Sequence, residues 1–205
     1  MATPFRLKLH GLPVRTADPT VAAPLRFALL VAGLVAMIGA VARVAVPLPG
    51  TPVPLTLQDL AVLAVGVVLG PRRGAVAIAS YVAAGALGAP VFSNGHGGLA
   101  WLMGPTGGYL LAYPFAAFVA GYAARPRRPW LAALAFVPAA QLVLFAGGTL
   151  QLALLTGRAP GDVVALAVVP FLPGALIKTA ILVTLSAALA ARRRDRSDAQ
   201  EDHVS

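Results

Sequence analysis

Lys178 is the one charged residue between Leu166 and Ala191, in a run otherwise made of apolar, small and hydroxyl side chains. A run of that length can cross a bilayer, whose core takes about 20 apolar residues. A lysine near the middle of a span costs on the order of 2.5–3.5 kcal/mol on insertion scales, and such residues usually serve a function. Snorkelling works near helix ends, so Lys178 is expected to meet a buried partner or a ligand anion. A second polar group lies in VPLPGTPVPLTLQDL, residues 46–60, which four prolines stiffen. Thr56 is the expected N-cap of the helix that follows, with Gln58 and Asp59 in its first turn. A third group lies in VFSNGHGGLAWLMGPTGGY, residues 91–109, which has no basic residue. Its six glycines, Gly97 among them, expose backbone N–H and C=O groups. Ser93, Asn94, His96 and Thr106 add neutral polar side chains, and Trp101 and Tyr109 add flat apolar surfaces. Such a segment suits a lid over a small, polar, uncharged ring. The alternative is a flexible connector, but loops this long are usually functional.

Several chemistries fall away. The chain has two lysines, preceded by Leu7 and Ile177, so it contains no G-x-x-x-x-G-K-[ST] phosphate loop and hydrolyses no ATP by that route. Three histidines, two of them in the tails, make no histidine-based metal site, and no metal is expected. Ser93 and His96 are the one serine–histidine pair in a single loop, a weak signal for a hydrolase. The absence of cysteine removes thiolate chemistry and says nothing of compartment. No enzyme activity and no cofactor are expected.

The elements that must position these groups are membrane helices. Hydrophobic residues make up 59% and charged residues 11%, against about 25% charged in soluble domains. The expected spans are Phe27–Val46, Leu55–Gly70, Gly74–Pro90, Gly107–Ala124, Trp130–Thr156 and Asp162–Ala191. Together they give an all-α membrane protein, six helices in one compact bundle over residues 27–191. Residues 1–26 and 192–205 are its tails, with 195–205 polar and disordered. The second and third spans are short enough to be a re-entrant hairpin. The charges argue for six crossings. Thirteen of the sixteen basic residues (Arg6, Lys8, Arg15, Arg26, Arg72, Arg73, Arg125, Arg127, Arg128, Arg192, Arg193, Arg194 and Arg196) then lie on one side. The positive-inside rule makes that side, and both termini, cytoplasmic. The basic start and Ala40-Val41-Ala42 resemble a signal peptide. The continuing apolar run favours a retained helix. Arg43 and Lys178 are left inside spans. On the first helix Ala28, Ala32, Ala36 and Ala40 share one face, where small side chains permit close approach of another helix.

Five segments carry a resemblance: VPLTLQ at 53–58, LGPRRGA at 69–75, GAPVFSNGHGGL at 88–99, GPTGGY at 104–109, and PFLPG with LIK across 170–178. They resemble the BioY family, the substrate-capture (S) subunits of energy-coupling-factor biotin transporters. The resemblance runs over residues 27–191. It implies six membrane helices in the plasma membrane and biotin bound near the outer surface. It also implies partnership with a transmembrane coupling subunit and two ATPase subunits, with the alanine face of the first helix as the coupling contact. In one place the chain departs from the family pattern P-G-D-x-x-K. Here Ala175 stands where the acid is expected, while Asp162, in a separate PGD, does not align with it.

Biotin's chemistry selects the candidate residues. Its ureido ring needs a donor to the oxygen and acceptors for two N–H groups, which Asn94, Gln58 and Asp59 offer. Its bicycle and methylene chain need apolar walls, for which Tyr81, Trp101 and Tyr109 are candidates. Its carboxylate needs a cation, Lys178 or Arg43. Thr56 and Gly97 complete the ligand-binding set. Without the family acid, Lys178 is expected to draw part of its partner set from the ligand. The competing function is a self-sufficient secondary transporter of a small carboxylate or another vitamin, with Lys178 and Asp59 as a charge-coupled pair.

Overall fold

A computed structural model describes residues 19–124 and 129–201. Eight helices dominate it: α1 (Pro19–Ala42), α2 (Gln58–Leu69), α3 (Pro71–Ala86), α4 (Leu99–Leu102), α5 (Gly107–Ala120), α6 (Pro129–Thr156), α7 (Pro160–Ala167) and α8 (Leu172–Glu201). Two short strands, β1 (Ala45–Val46) and β2 (Leu55–Thr56), pair antiparallel with Ala45 opposite Thr56. They pin the two ends of the proline-rich loop together.

Among the described residues, three apolar stretches are long enough to cross a bilayer: Ala23–Ala42, Pro129–Thr156 and Pro160–Arg192. The outer surface of the bundle carries Leu29, Leu30, Phe115, Leu142, Leu150, Leu154, Ile177 and Ile181 in exposed positions. So many large apolar side chains at the surface mark contact with lipid or with a partner. The chain is a multi-pass, nearly all-helical membrane protein.

Four boundaries differ from the sequence expectation. The helix that was expected to start at Phe27 already begins at Pro19, and it ends at Ala42 rather than Val46. Arg43 therefore lies in a turn beyond α1, exposed, and not inside a span. Second, α2 is only 12 residues, which at ~1.5 Å per residue covers about 18 Å. Gly70 alone separates it from α3, with φ of +81° and Pro71 at the first position of the new helix. Proline cannot continue α2, and glycine takes the left-handed turn without a Cβ clash. Arg72 and Arg73 consequently sit in the first turn of α3, exposed, rather than in a loop. Third, the run expected to span Asp162–Ala191 is broken by a 3-10 turn at Val169–Phe171. Pro170 and Pro173 lie at that break, and Lys178 falls in the second turn of α8 instead of mid-helix. Fourth, α8 continues to Glu201, so residues 195–201 are helical rather than a disordered tail. Residues 202–205 and Arg6, Lys8, Arg15, Arg125, Arg127 and Arg128 lie outside the described residues.

Small residues set how closely the helices approach. α5 is central, packed on α2, α3 and α6, and α8 packs mainly on α6. A Cβ on Gly66 would lie 2.3 Å from the Ala117 carbonyl oxygen, and one on Gly147 would lie 2.6 Å from that of Gly108. Neither contact leaves space for a side chain. Gly66→Val is therefore expected to force α2 off α5. Overpacking of this kind costs about 1–3 kcal/mol. The melting midpoint of the purified protein should fall by roughly 2–10 °C. An unchanged midpoint would show that the bundle tolerates a wider α2–α5 spacing.

Candidate functional site

The polar segments converge at the end of the bundle opposite Arg72 and Arg73. A narrow inner cleft of about 60 Å³ is lined by Thr56, Gln58, Asp59, Ser93, Tyr109, Tyr113, Phe145, Phe171, Ala175 and Lys178, among others. Beside it lies an outer cavity of about 390 Å³ whose walls include Pro47, Pro52, Asn94, Trp101 and Pro105. Pro54 and Thr106 belong to both walls and form the partition between them. Jointly the two spaces fall within the ~300–1,000 Å³ of small-molecule sites.

The inner cleft is organised by an ion pair. Lys178 Nζ lies 2.7 Å from each carboxylate oxygen of Asp59 and 3.1 Å from the Thr56 carbonyl oxygen. Lys178 is thus not left waiting for a ligand anion, as the missing acid at position 175 had suggested. The acid comes from α2 instead of from one turn earlier on α8. The lysine side chain is 9% exposed and the aspartate 26%, so the pair is sheltered but faces the cleft. An ammonium has three N–H donors and a carboxylate about four acceptor positions. The three contacts use all three donors of Lys178, so a ligand oxygen reaches the ammonium by displacing one of them, while acceptor positions on Asp59 remain open.

Two glutamines hold the walls. Gln58, 1% exposed, donates from Nε2 to Tyr81 Oη at 2.8 Å and accepts from Ser93 Oγ at 3.2 Å. Tyr81 Oη in turn donates to the Val91 carbonyl at 2.6 Å. Gln151 donates to the carbonyls of Leu102 and Gly104 at 2.8 and 2.7 Å. The 91–106 segment is therefore clamped near both ends, and it carries α4 and a 3-10 turn at Ser93–Gly95 rather than forming a loose connector. Thr56 does not cap α2, whose N-cap is Leu57; its hydroxyl accepts from the Gln58 N–H at 3.3 Å. That bond still fixes the entry of Gln58 and Asp59 into the first turn. Tyr109 is fixed by its hydroxyl donating to the Ala167 carbonyl and by its ring lying over Gly148, where a Cβ would meet it.

Not every candidate reaches the inner cleft. Thr56, Gln58, Asp59, Tyr109 and Lys178 do. Asn94 lines the outer cavity with Trp101, whose ring stacks on His96 at a centroid distance of 4.0 Å. Tyr81 is fully buried behind Gln58 and is a support, not a wall. Gly97 lines neither space. It packs so tightly that a Cβ would lie 2.3 Å from the Ala89 carbonyl oxygen. Arg43 lines neither space; its guanidinium lies beside Gly95, where a Cβ would be 3.5 Å from it. Tyr113, Phe145 and Phe171 are walls that sequence reasoning passed over. Phe171 stood inside the PFLPG motif, but an isolated aromatic in an apolar run gives no signal of its own. Ser93 and His96 form no nucleophile–base pair: the serine hydroxyl donates to Gln58, while His96 Nδ1 contacts the Ser93 backbone oxygen.

Comparison with known proteins agrees with this architecture. A "Probable biotin transporter BioY" from Pyrococcus horikoshii is 39% identical over 157 residues, covering 77% of this chain and 91% of that protein. A "Biotin transporter BioY" from Rhodobacter capsulatus is 39% identical over 164 residues, covering 74% and 85%. The fold is similar to a crystal structure described as the S-component for biotin from an ECF-type ABC transporter. There the TM-score is 0.73 at 23% identity, over 84% of this chain and 94% of the other. The BioY family pattern itself matches residues 14–195, which takes in every helix that lines the cleft, and the chain belongs to the BioY family.

Proposed function

We propose that this chain takes up biotin across the plasma membrane as the substrate-binding S subunit of an energy-coupling-factor transporter. It is a transport subunit, not an enzyme, in keeping with the transporters it resembles and with the absence of a phosphate loop. The observation that carries the reading is the Lys178–Asp59 pair in a narrow cleft. A pair of opposite charges is close to neutral overall, so it suits a neutral polar group better than a second carboxylate. A urea matches it: its oxygen takes the place of the Thr56 carbonyl on Lys178, and an N–H donates to Asp59. The ureido ring then occupies the inner cleft, and the tail runs past Pro54 and Thr106 into the outer cavity. In this pose the carboxylate lies towards the end of the site that Asn94 and Trp101 line, and Arg43 stands nearby on the same end of the bundle.

The remaining partners are read from α1. Ala28, Ala32, Ala36 and Ala40 are all exposed, while Ile38 and Ala42 on the other side are fully buried in the core. This small-residue face is the docking surface for the coupling subunit, through which two ATPase subunits supply the energy. Uptake of labelled biotin should then require all partners and persist when a protonophore collapses the proton gradient with ATP intact. Uptake by the chain alone that stops with the gradient would instead favour a secondary transporter using Lys178 and Asp59.

The charge distribution supports a site on the outer face. Arg26, Arg72, Arg73 and Arg192 are exposed at the end away from the cleft, which the positive-inside rule assigns to the cytoplasm. That assignment supports six crossings with both termini cytoplasmic. Arg158→Cys, at the cleft end, should react with a membrane-impermeant maleimide in intact cells. Arg73→Cys should react only after permeabilisation. The reverse pattern would invert the topology and put the cleft inside.

A further inference from the structure

Gln141 sits midway along α6, 5% exposed, on a face otherwise formed by Val137, Ala140 and Leu144. An amide buried among apolar side chains is unfavourable unless it is bonded. Its Nε2 donates to Thr179 Oγ1 at 2.8 Å and to the Ala175 carbonyl at 3.2 Å. The Thr179 hydroxyl itself donates to the same carbonyl at 2.9 Å. The two α8 residues held this way bracket Lys178, three before it and one after, and Ala175 also lines the inner cleft.

The placement has a mechanical consequence. α8 begins just after the 3-10 turn at Val169–Phe171, so its first turns are not an extension of α7. It touches α2 sparsely and packs chiefly on α6. The distance from Lys178 to Asp59 is therefore set by how α8 is rotated and how deep it sits on α6. Packing between leucine, valine and alanine faces resists rotation and sliding only weakly, because neighbouring arrangements bury similar area. A bond to one backbone carbonyl and one hydroxyl admits a single register. Polar bonds between membrane helices add little net stability on average, so leucine would serve the fold almost as well.

We propose that Gln141 is a positioning residue: by fixing the register of α8 on α6 it aims Lys178 at Asp59 and at the ligand. The proposal deepens the biotin reading and rests on it for its binding readout. Its test is a double-mutant cycle on the purified protein, with biotin affinity and the ligand-free melting midpoint measured together. Gln141→Leu should weaken biotin binding by roughly tenfold where Lys178 is present and by less than about twofold in a Lys178→Ala background. The midpoint should move little. Thr179→Val, which keeps the shape and removes the hydroxyl, should weaken binding in the same direction by a smaller factor. It also serves should Gln141→Leu fail to fold. Wild-type affinity in both variants, or equal losses with and without Lys178, would overturn the proposal and leave Gln141 a packing residue. A wild type that binds no biotin would overturn the ligand reading instead. The positioning claim is then decided by the midpoints of Gln141→Leu, Asp59→Asn and the double variant. Non-additive shifts support it and additive shifts overturn it.

Discussion

Lys178→Ala should weaken biotin binding by roughly ten- to a hundredfold, the worth of a hydrogen bond to a charged group. The substitution does two things at once. It removes the donor aimed at the ureido oxygen, and it leaves Asp59 as a sheltered carboxylate without its cation. Breaking a sheltered pair by removing one member is more damaging than the pair's net contribution, because the survivor stays desolvated. Asp59→Asn should weaken binding less, since an amide oxygen still accepts from a ligand N–H. Ala175→Asp alone puts a second carboxylate beside one lysine and should not tighten binding, because like charges at one site raise the free energy of both. Combining Asp59→Asn with Ala175→Asp moves the acid to the place where the family pattern has it. That double variant should recover most of the affinity lost in Asp59→Asn. Unchanged affinity in Lys178→Ala would make the lysine a structural residue of the bundle and remove the basis of the pose.

Ala36→Trp should abolish transport while leaving biotin affinity within about twofold, since Ala36 is exposed and lies on the face of α1 turned away from the cleft. An indole on a small-residue face holds a partner helix away by several ångströms, a distance that close packing cannot bridge. Co-purification with the coupling subunit should be lost along with transport. Ala32→Trp should behave the same way, one turn earlier. Loss of biotin binding with assembly intact would mean that this face packs within the bundle during capture.

The family and the bundle were legible because they rest on long patterns: an apolar composition, arginines spaced at alternate turns, and motifs such as GPTGGY. Trp130–Thr156 matched α6 to within one residue at its start, because a long, mostly apolar run with no charged residue leaves little choice. The breaks themselves were harder to read. Pro170 and Pro173 end one helix and start another, yet apolar content runs straight through them, so Lys178 looked central when it lies near a helix start. The partner of Lys178 was not readable from its own segment. Asp59 is 119 positions away in the chain, and only the packing of α2 near α8 shows that it supplies the acid missing at Ala175. Asn94, Gly97 and Arg43 were chosen for their chemistry and lie at the same end of the bundle as the cleft. Whether each lines the inner cleft depends on loop geometry, which turns on contacts such as Gly97 against Ala89 that no spacing encodes. Gln141 gave no signal at all, because an isolated amide ten residues from the next one, Gln151, has no pattern to belong to.

The most direct test is a calorimetric titration of the purified chain with biotin, desthiobiotin and lipoate. Biotin and desthiobiotin share the ureido group, while lipoate shares an alkyl carboxylate tail but carries no urea. Recognition of the urea by Lys178 and Asp59 predicts that biotin and desthiobiotin bind and compete with each other, and that lipoate does neither. Lipoate binding as tightly as biotin, or no binding by biotin, would contradict it.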